Sequence, residues 1–134
     1  METVNVVVGR TENNFSAYVE ELDGFVCTAD NFEELKNEVA DGITFHLEGM
    51  KEDNEPLPEI FQGDYSLTYK WDVESLMHYY KGIFTKSALE KLTGINQRQL
   101  GHYANGVSKP RKQQVEKIEN ALHSLGEELL SIQL

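Results

Sequence analysis

Asn96, Gln97, Arg98, Gln99 and His102 fall within one short stretch and carry side chains suited to reading nucleic-acid base edges. A guanidinium can pair bidentately with guanine, and a carboxamide with adenine. Lys86, Lys109, Arg111 and Lys112 flank them with cations that can neutralise phosphates and release counterions, the main source of DNA affinity. Lys91 and Lys117 extend this basic neighbourhood, opposed locally only by Glu90 and Glu116. These positions are the candidate DNA-binding residues: Lys86, Asn96, Gln97, Arg98, Gln99, His102, Lys109, Arg111 and Lys112.

The stretch needs a scaffold, and the local pattern supplies one. Lys86-Ser-Ala-Leu-Glu-Lys-Leu-Thr93 is helix-forming, and Gly94 permits a sharp break without a Cβ clash. Asn96 is a good N-cap for a second short helix, and Gln99 three residues later can complete a capping box. Ile95, Leu100 and Tyr103 then face inward, which leaves Gln97, Arg98, Gln99 and His102 outward. Asn105-Gly106 closes this helix, and Pro110 is expected in the first turn of the next. Two helices joined by a tight glycine turn, the second of them polar, is the reader geometry of a helix-turn-helix.

Charge divides the chain. Residues 1–64 hold 3 Lys+Arg against 16 Asp+Glu, a net of −13, whereas residues 65–134 hold 9 against 7, a net of +2. The step argues for two small domains in 134 residues. A unit of that size buries only roughly 60 % of its unfolded surface, so dimerisation or docking between halves is expected. A hydrophobic fraction of 40 % with 10 % aromatics excludes a disordered acidic tail. The single cysteine, Cys27, excludes an internal disulfide and suits a small buried hydrophobe. Met1 to Val8 has no basic n-region and too short an apolar run for a signal peptide, and no segment is apolar enough to span a bilayer. The expectation is a cytoplasmic protein with no membrane partner, whose acidic half meets a basic protein.

In the acidic half, Val4, Val6 and Val8 alternate with Asn5 and Val7, and Phe15, Ala17 and Val19 alternate with Ser16, Tyr18 and Glu20, so both runs predict strands. Gly9 to Asn14 is the expected hairpin turn. Asp23-Gly24 turns into a third strand, Phe25 to Ala29. A helix follows, with Phe32, Leu35, Val39, Ile43, Leu47 and Met50 in one apolar stripe and a capping box from Asp30 and Glu33. This β-β-β-α order on an antiparallel sheet is an α+β arrangement. Lys51 to Asp64, with Pro56 and Pro58, is the expected connector.

Catalysis is not expected. Asp23, Asp30 and Asp41 could be imagined around a metal, yet no His or Cys cluster has ligand spacing. His46, His78, His102 and His123 are dispersed over separate helices. No cofactor or metal is therefore expected.

Beyond the polar stretch, Tyr65 to Trp71 alternates as a strand, and Asp72 caps a helix to about Lys81 with Leu76, Met77 and Tyr80 inward. Val115, Ile118, Leu122 and Leu125 define a helix expected to stop at Gly126, followed by a terminal strand over Leu129 to Leu134. The two strands could pair with each other or with a second subunit, or Tyr65 to Trp71 could extend the acidic half's sheet.

The chain resembles HicB-type antitoxins along nearly its whole length. Phe15-Ser-Ala-Tyr-Val-Glu20, Leu22-Asp-Gly-Phe25, the acidic helix ending in Phe45-His-Leu47, and Asp53-Asn-Glu-Pro-Leu-Pro58 carry the likeness in the first half. In the second, Gly94-Ile-Asn96, Leu100, Tyr103, Asn105-Gly106 and Pro110 are similar to phage-repressor-like (Xre-type) helix-turn-helix domains. The resemblance implies an α+β fold in which residues 1–60 form a partial ribonuclease H-like, toxin-binding domain without its activity. Residues 65–134 would form an all-α helix-turn-helix DNA-binding domain flanked by short strands. It implies a repressor that binds operator DNA and a basic HicA-type ribonuclease toxin, as a homodimer or higher homo-oligomer. Two positions depart from the pattern: Glu90 stands where a small residue is usual, and Thr93 where an apolar one is. The alternative is a ligand-responsive transcription regulator with an N-terminal sensing domain.

Overall fold

Val4, Val6 and Val8 occupy alternate positions of strand β1 (Glu2–Arg10) and are all buried, as period-two patterning requires. Strand β2 (Phe15–Val19) runs antiparallel to it, setting Val19 beside Val6 and Ala17 beside Val8, so Phe15, Ala17 and Val19 join the same apolar face. The computed structural model describes residues 1–10 and 13–134; the expected turn over residues 9–14 lies partly outside them, and Gly9 and Arg10 belong to β1.

Strand β3 (Val26–Ala29) pairs antiparallel with β2, and helix α1 (Phe32–Glu52) covers the apolar face with Leu35, Val39, Ile43 and Leu47. Four residues at i+4 intervals form one stripe along a helix, and the buried stripe and valines together make this unit's core. The cap differs from expectation. Asn31, not Asp30, is the N-cap, its side-chain oxygen accepting from the Glu34 amide at 2.8 Å. The helix also runs past Leu47 into the expected connector, which further contains a 3₁₀ turn, Glu59–Phe61, with Phe61 buried.

Strand β4 (Tyr65–Trp71) resolves an open choice and corrects another expectation. It pairs parallel with β1, so the sheet is mixed rather than antiparallel, in the order β3-β2-β1-β4. The register places Leu67, Tyr69 and Trp71 beside Val4, Val6 and Val8. Phe32, in the first turn of α1, packs edge-on against Tyr69 and Trp71, with ring centroids 5.3 and 4.9 Å apart, and Trp71 also meets Phe15 at 5.4 Å. The aromatic face of β4 thus completes the acidic unit's core, and the strand does not flank the helical unit. The chain divides into Met1–Asp72 and Val73–Leu134.

The second unit holds four helices: α2 (Val73–Tyr79), α3 (Lys86–Thr93), α4 (Gln97–Ala104) and α5 (Lys112–Leu130). Val73, Leu89, Ile95, Leu100, Tyr103 and Ile118 form its core, with Leu76, Met77, Phe84 and Leu122 against it. The expected terminal strand is absent. Helix α5 passes through Gly126 and ends at Leu130. A glycine inside a helix costs only about 1 kcal/mol relative to alanine, and the strong helix formers Glu127 to Leu130 offset it. Pro110 lies before the helix rather than in its first turn, because Arg111 is the N-cap. No helix among the described residues is long and apolar enough to cross a membrane.

Candidate nucleic-acid interface

The site is built on the α3–α4 corner. Thr85 caps α3, its hydroxyl accepting from the Ala88 amide at 3.0 Å, and Leu89 anchors the helix in the core. Gly94 ends it at φ +77°, a left-handed conformation that L side chains adopt only at a cost. The chain then turns within Gly94 to Asn96. Asn96 is extended, and its side-chain oxygen accepts from the Gln99 amide at 2.8 Å. Ile95, Leu100 and Tyr103 are buried as expected, which fixes which face of α4 looks outward.

The two positions that depart from the resemblance supply polar links at this corner. Gln97 Nε2 donates to Glu90 Oε2 at 2.9 Å, joining the first turn of α4 to α3. Thr93 Oγ1 donates to the Leu89 carbonyl at 2.7 Å and accepts from the Ile95 amide at 3.1 Å, so one hydroxyl bridges the helix end and the turn. An apolar residue at position 93 could make neither bond.

At its other end, α4 closes through the Gly106 and Val107 amides, which donate to the carbonyls of Tyr103 at 3.3 Å and His102 at 2.9 Å. This is the paired pattern of a Schellman cap, and it needs the left-handed residue that Gly106 provides at φ +72°. The cap sends residues 107–111 back towards the start of α4, where Gln99 Nε2 donates to Ser108 Oγ at 3.3 Å. The expected capping box is therefore half made: Asn96 plays its part, while the Gln99 side chain bonds to the following loop.

The structure sorts the candidate residues into groups. An open groove of about 610 Å³ is lined by Asn96, Gln99, Lys109 and Arg111 together with Ser108, Gln114 and Lys117, and no carboxylate lines it. Gln97, Arg98, His102, Lys86 and Lys112 lie outside that lining. Arg98 is exposed on the first turn of α4 and makes no hydrogen bond or ion pair with other described residues. Gln97 is exposed but engaged with Glu90, and His102 is half-buried. The stem of Lys86 lies over Gly101, about 3.8 Å from where a Cβ would stand, and so brings an α3 cation onto α4. Lys112 is exposed at the start of α5.

Ser108, Gln114 and Lys117 were not among the sequence-derived site residues. Arg111, Gln114 and Lys117 recur every third position, one face of a helix start, and that spacing was the available signal. Arg111 caps α5 without a side-chain hydrogen bond; the Gln114 amide donates to the Arg111 carbonyl at 2.9 Å, so of the first turn it is the Lys112 and Gln113 amides that face an anion beside three cations. Chemically, the arrangement can hold phosphate oxygens in the groove and present a guanidinium from the adjoining helix. Among the described residues, no group of three or more His, Cys, Asp or Glu side chains is placed to hold a metal ion. No family model, curated protein or solved structure matches this chain.

Proposed function

We propose that Val73–Leu134 is a helix-turn-helix DNA reader and that the whole chain is a HicB-type antitoxin, repressing its own operon and neutralising a basic HicA-type ribonuclease. The observation that carries the DNA reading is the carboxylate-free groove holding Lys109, Arg111 and Lys117, beside an α4 that presents Arg98 outward. In this reading the groove grips the phosphate backbone and sets the register. Arg98 enters the major groove and reads guanine. Gln97 contributes less than its type suggests, because Glu90 holds its amide.

The antitoxin reading rests on the charge step and the resemblance. The acidic unit, with its three antiparallel strands, covering helix and parallel fourth strand, is read as the partial ribonuclease H-like toxin-binding domain. Its charge suits a basic partner and would repel DNA, which assigns the two partners to different units.

Selection of bound sequences from a random DNA pool, followed by gel shifts in a salt series, tests the first part. An enriched motif whose affinity falls steeply with salt is expected; binding without sequence preference would overturn it. Co-expression with the small reading frame adjacent to its gene tests the second. Growth arrest by that frame alone, relief by this chain and co-purification are expected, and a harmless neighbour that does not co-purify would sink it.

A further inference from the structure

Glu90 does more to Gln97 than tether it. A carboxamide carries an oxygen and a nitrogen of nearly equal size, and a half-turn about its last torsion exchanges them. An ionised carboxylate, by contrast, only accepts hydrogen bonds. Glu90 Oε2, 2.9 Å away, therefore selects the nitrogen, and Gln97 Nε2 is turned towards α3. Gln97 Oε1 is left without a hydrogen bond to any described residue, on an exposed side chain at the first position of α4. Glu90 Oε1 is equally unengaged among the described residues, so two acceptors stand together at this corner. A small residue at position 90 would leave the carboxamide free to rotate.

The bases answer these two states differently. In the major groove the exocyclic amines of cytosine and adenine donate, whereas guanine N7 and O6 and thymine O4 accept. An untied glutamine can turn its oxygen to an amine or its N–H to an acceptor, and so can accommodate any of the four. A tied one offers its oxygen first. Against guanine or thymine that oxygen would meet another lone pair, and an acceptor desolvated without a partner lowers affinity.

We infer that Glu90 is a positioning residue that restricts Gln97 to bases bearing an exocyclic amine, cytosine or adenine on one strand, at a position distinct from that read by Arg98. The inference rests on the DNA reading above. It is tested by repeating the random-pool selection with wild type, Glu90→Ala, Glu90→Gln and Gln97→Ala, followed by gel shifts on the enriched duplex varied one pair at a time. Wild type should favour cytosine or adenine over guanine and thymine at one position by about three- to tenfold, the worth of one hydrogen bond. Both Glu90 variants should admit guanine and thymine at that position, and Gln97→Ala should lose discrimination there altogether. The preference that depends on Arg98 should stay as in wild type, which a general loss of structure would not allow. Glu90→Ala combined with Gln97→Ala should match Gln97→Ala alone. Far-UV circular dichroism identifies folded variants; should Glu90→Ala unfold, Glu90→Gln carries the test, because its neutral carboxamide can donate as well as accept. Wild-type preferences in the Glu90 variants or in Gln97→Ala, or a wild type that favours guanine or thymine where Gln97→Ala acts, would overturn the inference and leave the DNA reading standing. A wild type that enriches no motif would overturn both.

Discussion

Gln97 Nε2 donates to Glu90 Oε2 across 2.9 Å, so the first turn of α4 is tied to α3 by a hydrogen bond between side chains seven residues apart. The bond spans the turn that sets how the outward face of α4 is presented, and one partner is a charged acceptor.

Glu90→Ala is therefore expected to lower the stability of the helical unit by about 0.5–1.5 kcal/mol, at the low end because the pair is exposed. Urea denaturation of Glu90→Ala, Gln97→Ala and the double variant gives the coupling directly. Additive losses would show that the bond contributes nothing.

For DNA, Arg98→Ala should lose about 1–3 kcal/mol and relax sequence preference at one position. Lys109→Ala and Lys112→Ala should instead weaken all sequences alike and reduce the salt slope by about one each. Quantitative gel shifts on matched and mismatched duplexes separate the two patterns.

Gly106 occupies φ +72°, and the amides of Gly106 and Val107 close α4. Gly106→Ala should cost about 1–2 kcal/mol from the left-handed conformation alone. A Cβ there would also come within 2.6 Å of Glu74 Oε1, which can swing away because it ends a flexible side chain. A thermal melt unchanged from wild type would show that the cap is not under this constraint.

Burial pushes the Cys27 thiol above its ordinary range, and the nearby Glu38 carboxylate adds to the shift. A raised folded-state value means that the native protein holds this proton more tightly than the unfolded chain does. The associated stability is present below the ordinary thiol range and is lost as pH rises through the raised value. Alkylation, which needs the thiolate, should accordingly be slower than for a small free thiol at the same mildly alkaline pH and accelerate only at higher pH. Iodoacetamide labelling rates across pH measure this, and Glu38→Gln should bring the profile part of the way back.

Much of the local architecture was legible from residue order. Alternation in Val4 to Val8 and Phe15 to Val19, the four-residue stripe from Leu35 to Leu47, and the Gly94 and Asn96 signals all report on neighbours within a few positions, and the structure carries each of them. The ends of elements were less legible. Asp30 and Asn31 are both good caps, and only the chain's path into α1 selects Asn31. Gly126 resembles a stop, yet the residues after it outweigh its cost.

Tertiary structure alone decided where β4 belongs, what Glu90 and Thr93 do, and which cations share a groove. Alternation shows that Tyr65 to Trp71 has an apolar face, but any sheet with a matching face could accept it. The choice is made by pairing with β1, more than sixty positions away, and by Phe32 packing on Tyr69 and Trp71. Likewise, Ser108 and Gln114 join Asn96 and Gln99 only because the Gly106 cap folds the loop back along α4. Short-range hydrogen bonding and periodicity determine elements from residue order, whereas contacts between distant residues depend on three-dimensional complementarity, which no local pattern encodes.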